Sequence, residues 1–175
     1  MSNITGAGVV LHTIYKTKPC VILVFDYNKL WGEPGGRLQK SYSIEMSAKN
    51  EVLEETCLAI DIRRKTLAKY LNVIGNKSGS QYRAYFYQTK PISIETYYKN
   101  RESLQKRKVD PKYLETTGLT YVEISNLNKS KIYDVFGKRI RITPRFKFVL
   151  KNDGLKYLEC YYSGYYSRYG LIKFT

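Results

Sequence analysis

The sequence has little of what most metal and nucleophile chemistries use. It holds one histidine and three cysteines in 175 residues. Cys20, Cys57 and Cys160 are odd in number and far apart, which excludes a zinc cluster of ordinary spacing and fits reduced thiols in an intracellular, cytoplasmic protein. The single histidine, His12, lies in an apolar stretch with no serine or cysteine nucleophile motif, so it reads as a structural residue and not as the base of a triad. No apolar run approaches the roughly 20 residues that cross a bilayer, so no membrane attachment is expected. The opening MSNITGAGVV lacks a basic segment leading into an apolar one, so no signal peptide is expected either.

Acidic residues are scarce as well. Fifteen Asp and Glu stand against 30 Lys and Arg, a formal charge of +15. Residues 1–62 are close to neutral, with six bases and seven acids, whereas residues 63–112 carry thirteen and three and residues 129–175 carry eleven and three. Charge on this scale speeds encounter with nucleic acid or another polyphosphate, and the two basic regions are the ones that would face it. Against this background the stretch GGRLQKSYSIEMSAKNEVLEETCL, residues 35–58, gathers Glu45, Glu51, Glu54 and Glu55.

A hydrophobic content of 43% with 14% aromatics in a chain of this length suits one folded domain over residues 1–175, with a basic, tyrosine-rich extension from about residue 129. Residues 8–14 and 20–25 read as a hairpin, 69–74 and 82–89 as strands around a turn at 75–79, and 118–124 as a further strand. Residues 31–36 (WGEPGG) read as a tight, backbone-exposed turn. A helix from about Ile44 to Leu58, capped by Ser43 or Ser41, is apolar on two sides and is expected between layers. Residues 94–108 read as a polar helix or a loop excursion, 131–142 as a hairpin around Gly137 and 145–151 as a last helix. The tail YLECYYSGYYSRYGLIKF has no clear period. Irregular interleaving of strands and helices predicts an α/β protein with a mixed sheet covered on both faces.

Glu51, Glu54 and Glu55 are spaced i, i+3, i+4 and share one helix face, where like charges repel by roughly 0.2–0.5 kcal/mol per pair. Oxygen-only ligands beside a glycine backbone suit Mg²⁺ or Mn²⁺, which also hold phosphate oxygens. The alternative is an acidic, solvated face.

The spacing resembles the signature of the Nudix hydrolases: Gly, five residues, Glu, seven residues, Arg-Glu, an aliphatic, any residue, Glu-Glu, any residue, Gly, an aliphatic. Gly36, Glu51, Val52, Glu54, Glu55 and Leu58 fall in register without a gap. Tyr42 stands in place of the first glutamate, Asn50 in place of the arginine that orients a catalytic glutamate, and Cys57 in place of the second glycine. Glu45 is a candidate substitute for the missing glutamate. The resemblance implies a Nudix-type α/β/α sandwich that cleaves a phosphoanhydride by water attack on phosphorus. Glu51, Glu54, Glu55 and the Gly36 carbonyl would hold Mg²⁺ or Mn²⁺. A helix glutamate (Glu54 or Glu51) or a later carboxylate (Glu115 or Glu102) would accept the proton, and Gly35, Arg37 and Lys40 would meet phosphate oxygens.

The family's substrates share a diphosphate link, and the motif does not choose among them. The charge favours capped messenger RNA, as in decapping, or a diphosphoinositol polyphosphate. A nucleoside diphosphate-linked small molecule and a non-catalytic RNA-binding Nudix module are the alternatives. Tyrosine pairs at 97–98, 161–162 and 165–166 beside Lys and Arg are candidates for stacking bases, although strands also demand tyrosines. The Lys-, Tyr-, Ile- and Asn-rich composition is similar to Nudix proteins of large DNA viruses, which would place the chain in a host cytoplasm.

Overall fold

A computed structural model describes residues 4–74 and 80–169, with the side chains of 165–169 left aside. Nine strands and four helices follow one another among these residues. β1 (Ile4–Tyr15) and β2 (Lys18–Phe25) form the expected hairpin, with Leu11 opposite Ile22. β6 (Gln81–Gln88) runs parallel to β1, and β5 (Lys69–Ile74) pairs antiparallel with β6. β7 (Gly118–Glu123) closes against β2. The short β3 (Trp31–Gly32) and β4 (Gly35–Arg37) pair with β2 and β1. The sheet is therefore mixed, as expected.

Its two faces are both covered, and strand periodicity divides the core accordingly. Val9, Leu11, Cys20, Ile22 and Val24 face one apolar cluster with Ala48 and Val52 of α1 (Ile44–Glu55) and Tyr97 and Leu104 of α2 (Ile94–Lys106). Their neighbours Val10, Val21 and Leu23 face a second cluster with Phe146 and Val149 of α3 (Pro144–Val149) and Leu158 and Tyr162 of α4 (Leu155–Tyr169). Helix, sheet and helix form three layers. Residues 157–169 of the unplaced tail belong to α4, which completes the second face, and the rest of the tail lies outside the described residues. Within it Tyr162 hydrogen-bonds His12 Nδ1 at 2.9 Å and Tyr161 donates to Gln88 at 2.6 Å. Tyr97 is likewise buried against Thr116. Tyr97 and Tyr162 are packed inside and Tyr161 is half-buried, so none of the three is an open stacking platform, and the pair at 165–166 lies outside the described side chains. His12 is the buried structural residue the sequence implied, with burial lowering its pKa to about 4.

Several boundaries differ from the sequence reading. Residues 31–35 are buried, not backbone-exposed, because β3 and β4 dock this segment onto both central strands. α1 is capped by Ser43 and ends at Glu55 instead of Leu58. Its end is a Schellman motif: Cys57 N–H bonds Glu54 O at 3.1 Å and Leu58 N–H bonds Leu53 O at 2.9 Å. Cys57 (φ 51°) and Leu58 (φ 62°) both take left-handed conformations, so the signature's glycine is replaced where its backbone freedom matters, and not merely where space is short. The last predicted helix is shorter: α3 stops at Val149, and a π-type turn over Leu150–Gly154, with Asp153 at φ 69°, redirects the chain into α4. The hairpin around Gly137 (φ 81°) is present as β8 (Ile132–Tyr133) and β9 (Arg139–Ile140). The predicted turn at 75–79 lies outside the described residues.

Candidate active site

The β3–β4 segment brings the glycine pair onto α1. Gly35 N–H donates to Glu55 Oε2 at 2.9 Å. Gly36 lies so close to the helix that an added Cβ would sit 2.7 Å from each carboxylate oxygen of Glu51. Absence of a side chain at residue 36 is what lets a carboxylate rest directly on the loop backbone. The i, i+4 spacing of Glu51 and Glu55 places both under this loop.

Burial makes the pair costly. It pushes the Glu51 carboxyl up to about 7, helped by the charges of Glu54 and Glu115. Burial pushes Glu55 up to about 8, and Arg145 is the first influence to oppose it. Two carboxylates that hold their protons near neutral pH mark a place where positive charge is in short supply.

Arg145, on the first turn of α3, supplies part of it. Its Nε donates to Glu33 Oε1 at 2.8 Å, Nη2 to the Glu33 carbonyl at 2.8 Å and Nη1 to the Gly35 carbonyl at 2.6 Å. The guanidinium also lies over the Tyr82 ring, 5.0 Å from its centroid. Arg145 therefore fixes the loop that carries Gly35 and Gly36, and its charge favours ionised Glu51 and Glu55. Asn50 brings no charge to the pair, and Arg145, 95 positions further along the chain, does. Asn50 itself turns to Gln39 at 3.5 Å.

Glu54 points elsewhere. Its carboxylate pairs with Lys112 Nζ at 2.8 Å, from the 3-10 turn Pro111–Leu114. Glu45 is no substitute for the missing first glutamate: it pairs with Lys49 at 2.6 Å and accepts from Leu67 N–H. Tyr42 is exposed. Glu102 is tied to Lys106 on the exposed face of α2, so it leaves the set of proton acceptors. Lys40 is exposed on the β4–α1 connection and does not line the cavity described next.

That cavity, about 730 Å³, opens beside the glycine pair and is lined by Tyr27, Asn28, Arg37, Glu55, Glu115 and Arg145 among others. Arg37 and Glu115 are thus at the site, and Glu115 raises the proton affinity of Glu51. Tyr27, on the β2–β3 turn, is 80% exposed at its rim.

Among the described residues no three Asp, Glu, His or Cys side chains already close on one point as a metal cage. The chemistry of the site nevertheless fits a hard divalent cation. Its donors are carboxylates and backbone carbonyls, Gly36 leaves Glu51 bare on the loop, and buried Glu33 Oε2 has no hydrogen-bond partner. Glu54 joins that donor set only when Lys112 leaves it.

Glu33, Arg145, Tyr82 and Lys112 were not singled out by the sequence. Glu33 carried a local signal, being a charge inside an otherwise apolar and glycine-rich turn. The others reach the site only through the fold.

No family model matches the sequence, and no curated protein is detectably similar to it. Solved structures do match. An Ap4A hydrolase binary complex from C. elegans superposes with a TM-score of 0.57 at 13% identity, over 91% of this chain and 98% of that one. The M. smegmatis Nudix hydrolase RenU gives 0.52 at 12%, over 94% and 89%. The NUDIX domain of Shewanella oneidensis NrtR, complexed with ADP ribose, gives 0.51 at 13%, over 93% and 88%. The architecture is the Nudix fold.

Proposed function

We propose that this chain is a Mg²⁺- or Mn²⁺-dependent pyrophosphohydrolase that cleaves a phosphoanhydride at the 5′ end of RNA, a cap included. The observation that carries this reading is the pair of half-buried carboxylates, Glu51 and Glu55, laid directly against the Gly35–Gly36 backbone in the register of the Nudix signature. Glu51, Glu55, the Gly36 carbonyl and a released Glu54 would hold the divalent cation, which would neutralise diphosphate oxygens and acidify a water. The remaining work falls to the chain. Arg145 holds the loop and the carboxylates in place. Arg37 meets a phosphate oxygen from the cavity wall. Glu115 is exposed on the cavity and takes up the proton of the attacking water. Tyr27 offers an open aromatic face to the nucleoside.

A nucleoside diphosphate-linked small molecule is the second reading, favoured by the likeness to an Ap4A hydrolase. A diphosphoinositol polyphosphate would use the cations but leave Tyr27 without a partner.

The test is Mg²⁺-dependent release of product from capped RNA, an inositol pyrophosphate and a dinucleoside polyphosphate. Turnover of the RNA is expected to fall by at least about a hundredfold in Glu55→Gln and Glu51→Gln, since even groups that only support a metal ligand are worth about 10–100-fold. Equal inertness of wild type and variants on all three, with RNA still bound, would sink the enzymatic reading in favour of a binding module.

A further inference from the structure

The geometry points to a second binding site: a groove outside the catalytic cavity that holds the phosphate backbone of a single RNA strand. The groove, about 680 Å³, lies between the β8–β9 hairpin and the α3–α4 corner. Six cations line it (Lys129, Lys131, Arg139, Arg141, Lys147 and Lys151) and no acid does. All six are exposed, and none forms an ion pair among the described residues. Elsewhere on the surface Lys18, Arg63, Lys99 and Lys106 each pair with a carboxylate, and what sets the groove apart is that six cations meet around one concavity with no acid among them. Unpaired like charges around one concavity repel each other, and an anion removes that repulsion.

The place of the groove identifies the anion. Groove and catalytic cavity share Leu30 and Pro144 as a common rim. Backbone bonds between Trp31 and the strand after β9 hold that rim closed: Trp31 N–H to Arg141 O at 2.9 Å, and Thr143 N–H to Trp31 O at 2.8 Å. Helix α3 carries Arg145 on the cavity side and Lys147 on the groove side. A compact polyphosphate fills one cavity of this size and leaves the other empty. A strand whose terminal phosphoanhydride lies at Glu51 and Glu55 continues over the rim and meets the groove cations. The apolar floor of Ile132, Ile140 and Leu150 suits ribose and base edges. A site of this kind reads charge and not sequence. This inference rests on RNA as the substrate of the neighbouring cavity.

The experiment uses the full chain in chelator and a labelled, uncapped single-stranded RNA of twelve nucleotides. Arg139→Gln/Arg141→Gln/Lys147→Gln/Lys151→Gln is compared with wild type across a salt series. The variant should bind at least about thirtyfold more weakly near 0.1 M salt, and its log–log salt slope should be shallower by about 3, since each neutralised contact to a single strand contributes about 0.7. Cleavage of a dinucleoside polyphosphate, too short to reach the groove, should stay within about twofold. Lys129→Gln/Lys131→Gln, confined to the hairpin and its lead-in, should lower the slope by about 1.4 and serves if the fourfold variant melts early. Wild-type affinity and slope in both variants would overturn the site. So would inositol hexakisphosphate binding that the variants lose while RNA binding stays. If wild type cleaves no phosphoanhydride yet the variants still lose RNA, the enzymatic reading fails and the groove stands.

Discussion

The carboxylates under the glycine loop and the cations around the α3 groove lie on either side of Arg145 and obey opposite rules. Glu51 and Glu55 are few, half-buried and set against the glycine loop, so their charge is expensive and their proton affinity rises to about 7 and 8. The groove cations are numerous, exposed and unpaired, so each charge is cheap and none acts alone. Burial converts a little charge into strong demand for a bound cation at short range. Exposure spreads much charge into a field that attracts at long range and fades with salt.

The largest break in that comparison comes from Arg145, the one cation on the cavity side of α3. Arg145→Ala leaves Glu33, fully buried on its side-chain measure, without its cation. Loss of one partner of a buried pair costs about 3–5 kcal/mol, and because the Arg145 side chain is 34% exposed the expected cost is about 2. Thermal or urea denaturation measures it, and a loss under about 0.5 kcal/mol would mean the three hydrogen bonds add little beyond hydration. Lys112 is the exception that sharpens the comparison, a base placed among the acids at Glu54. Lys112→Met frees that carboxylate, and Mn²⁺ affinity measured by calorimetry is expected to rise about five- to tenfold, the effect of about 1 kcal/mol. Unchanged affinity would show that Glu54 stays outside the donor set.

The smallest effect separates the regions by pH. In chelator, folded Glu55 and Glu51 bind protons that the unfolded chain has released, so stability falls as pH rises from the ordinary carboxylate range through about 7 and 8. His12, whose pKa is lowered to about 4, acts in the opposite sense, but only below its ordinary value of 6.5. Between pH 6.5 and 8 the melting temperature should therefore decline, Glu55→Gln should flatten the decline, and the groove variants should leave its slope unchanged. A rise over that window would refute the buried-carboxylate account.

The sequence made the strands, the mixed sheet and the placement of α1 legible because period-2 apolar runs and a serine cap leave local marks. The register of Gly36 with Glu51 and Glu55 was legible for the same reason: a loop and the helix beside it keep a fixed offset. What escaped was long-range or conformational. Arg145 lies 112 residues from Glu33 and no spacing rule joins them. Glu45 follows the glycine pair, yet Lys49 and the Leu67 amide claim it nearly two turns before Glu51. The α4 tail has no clean period because Tyr161 and Tyr162 both find partners inside, on adjacent positions of one helix. Nothing in a cysteine side chain announces the positive φ of residue 57, which the end of α1 imposes.

The bond between His12 and Tyr162 joins one of the first strands to one of the last turns of helix. During synthesis at about 5–20 residues per second, roughly 8–30 s separate the emergence of these two residues from the peptidyl-transfer centre. For most of that time Val10, Val21 and Leu23 have neither α3 nor α4 to cover them. The nascent sheet is then sticky on one side, and a cell that makes this protein in quantity must shield it with a chaperone or accept losses to aggregation.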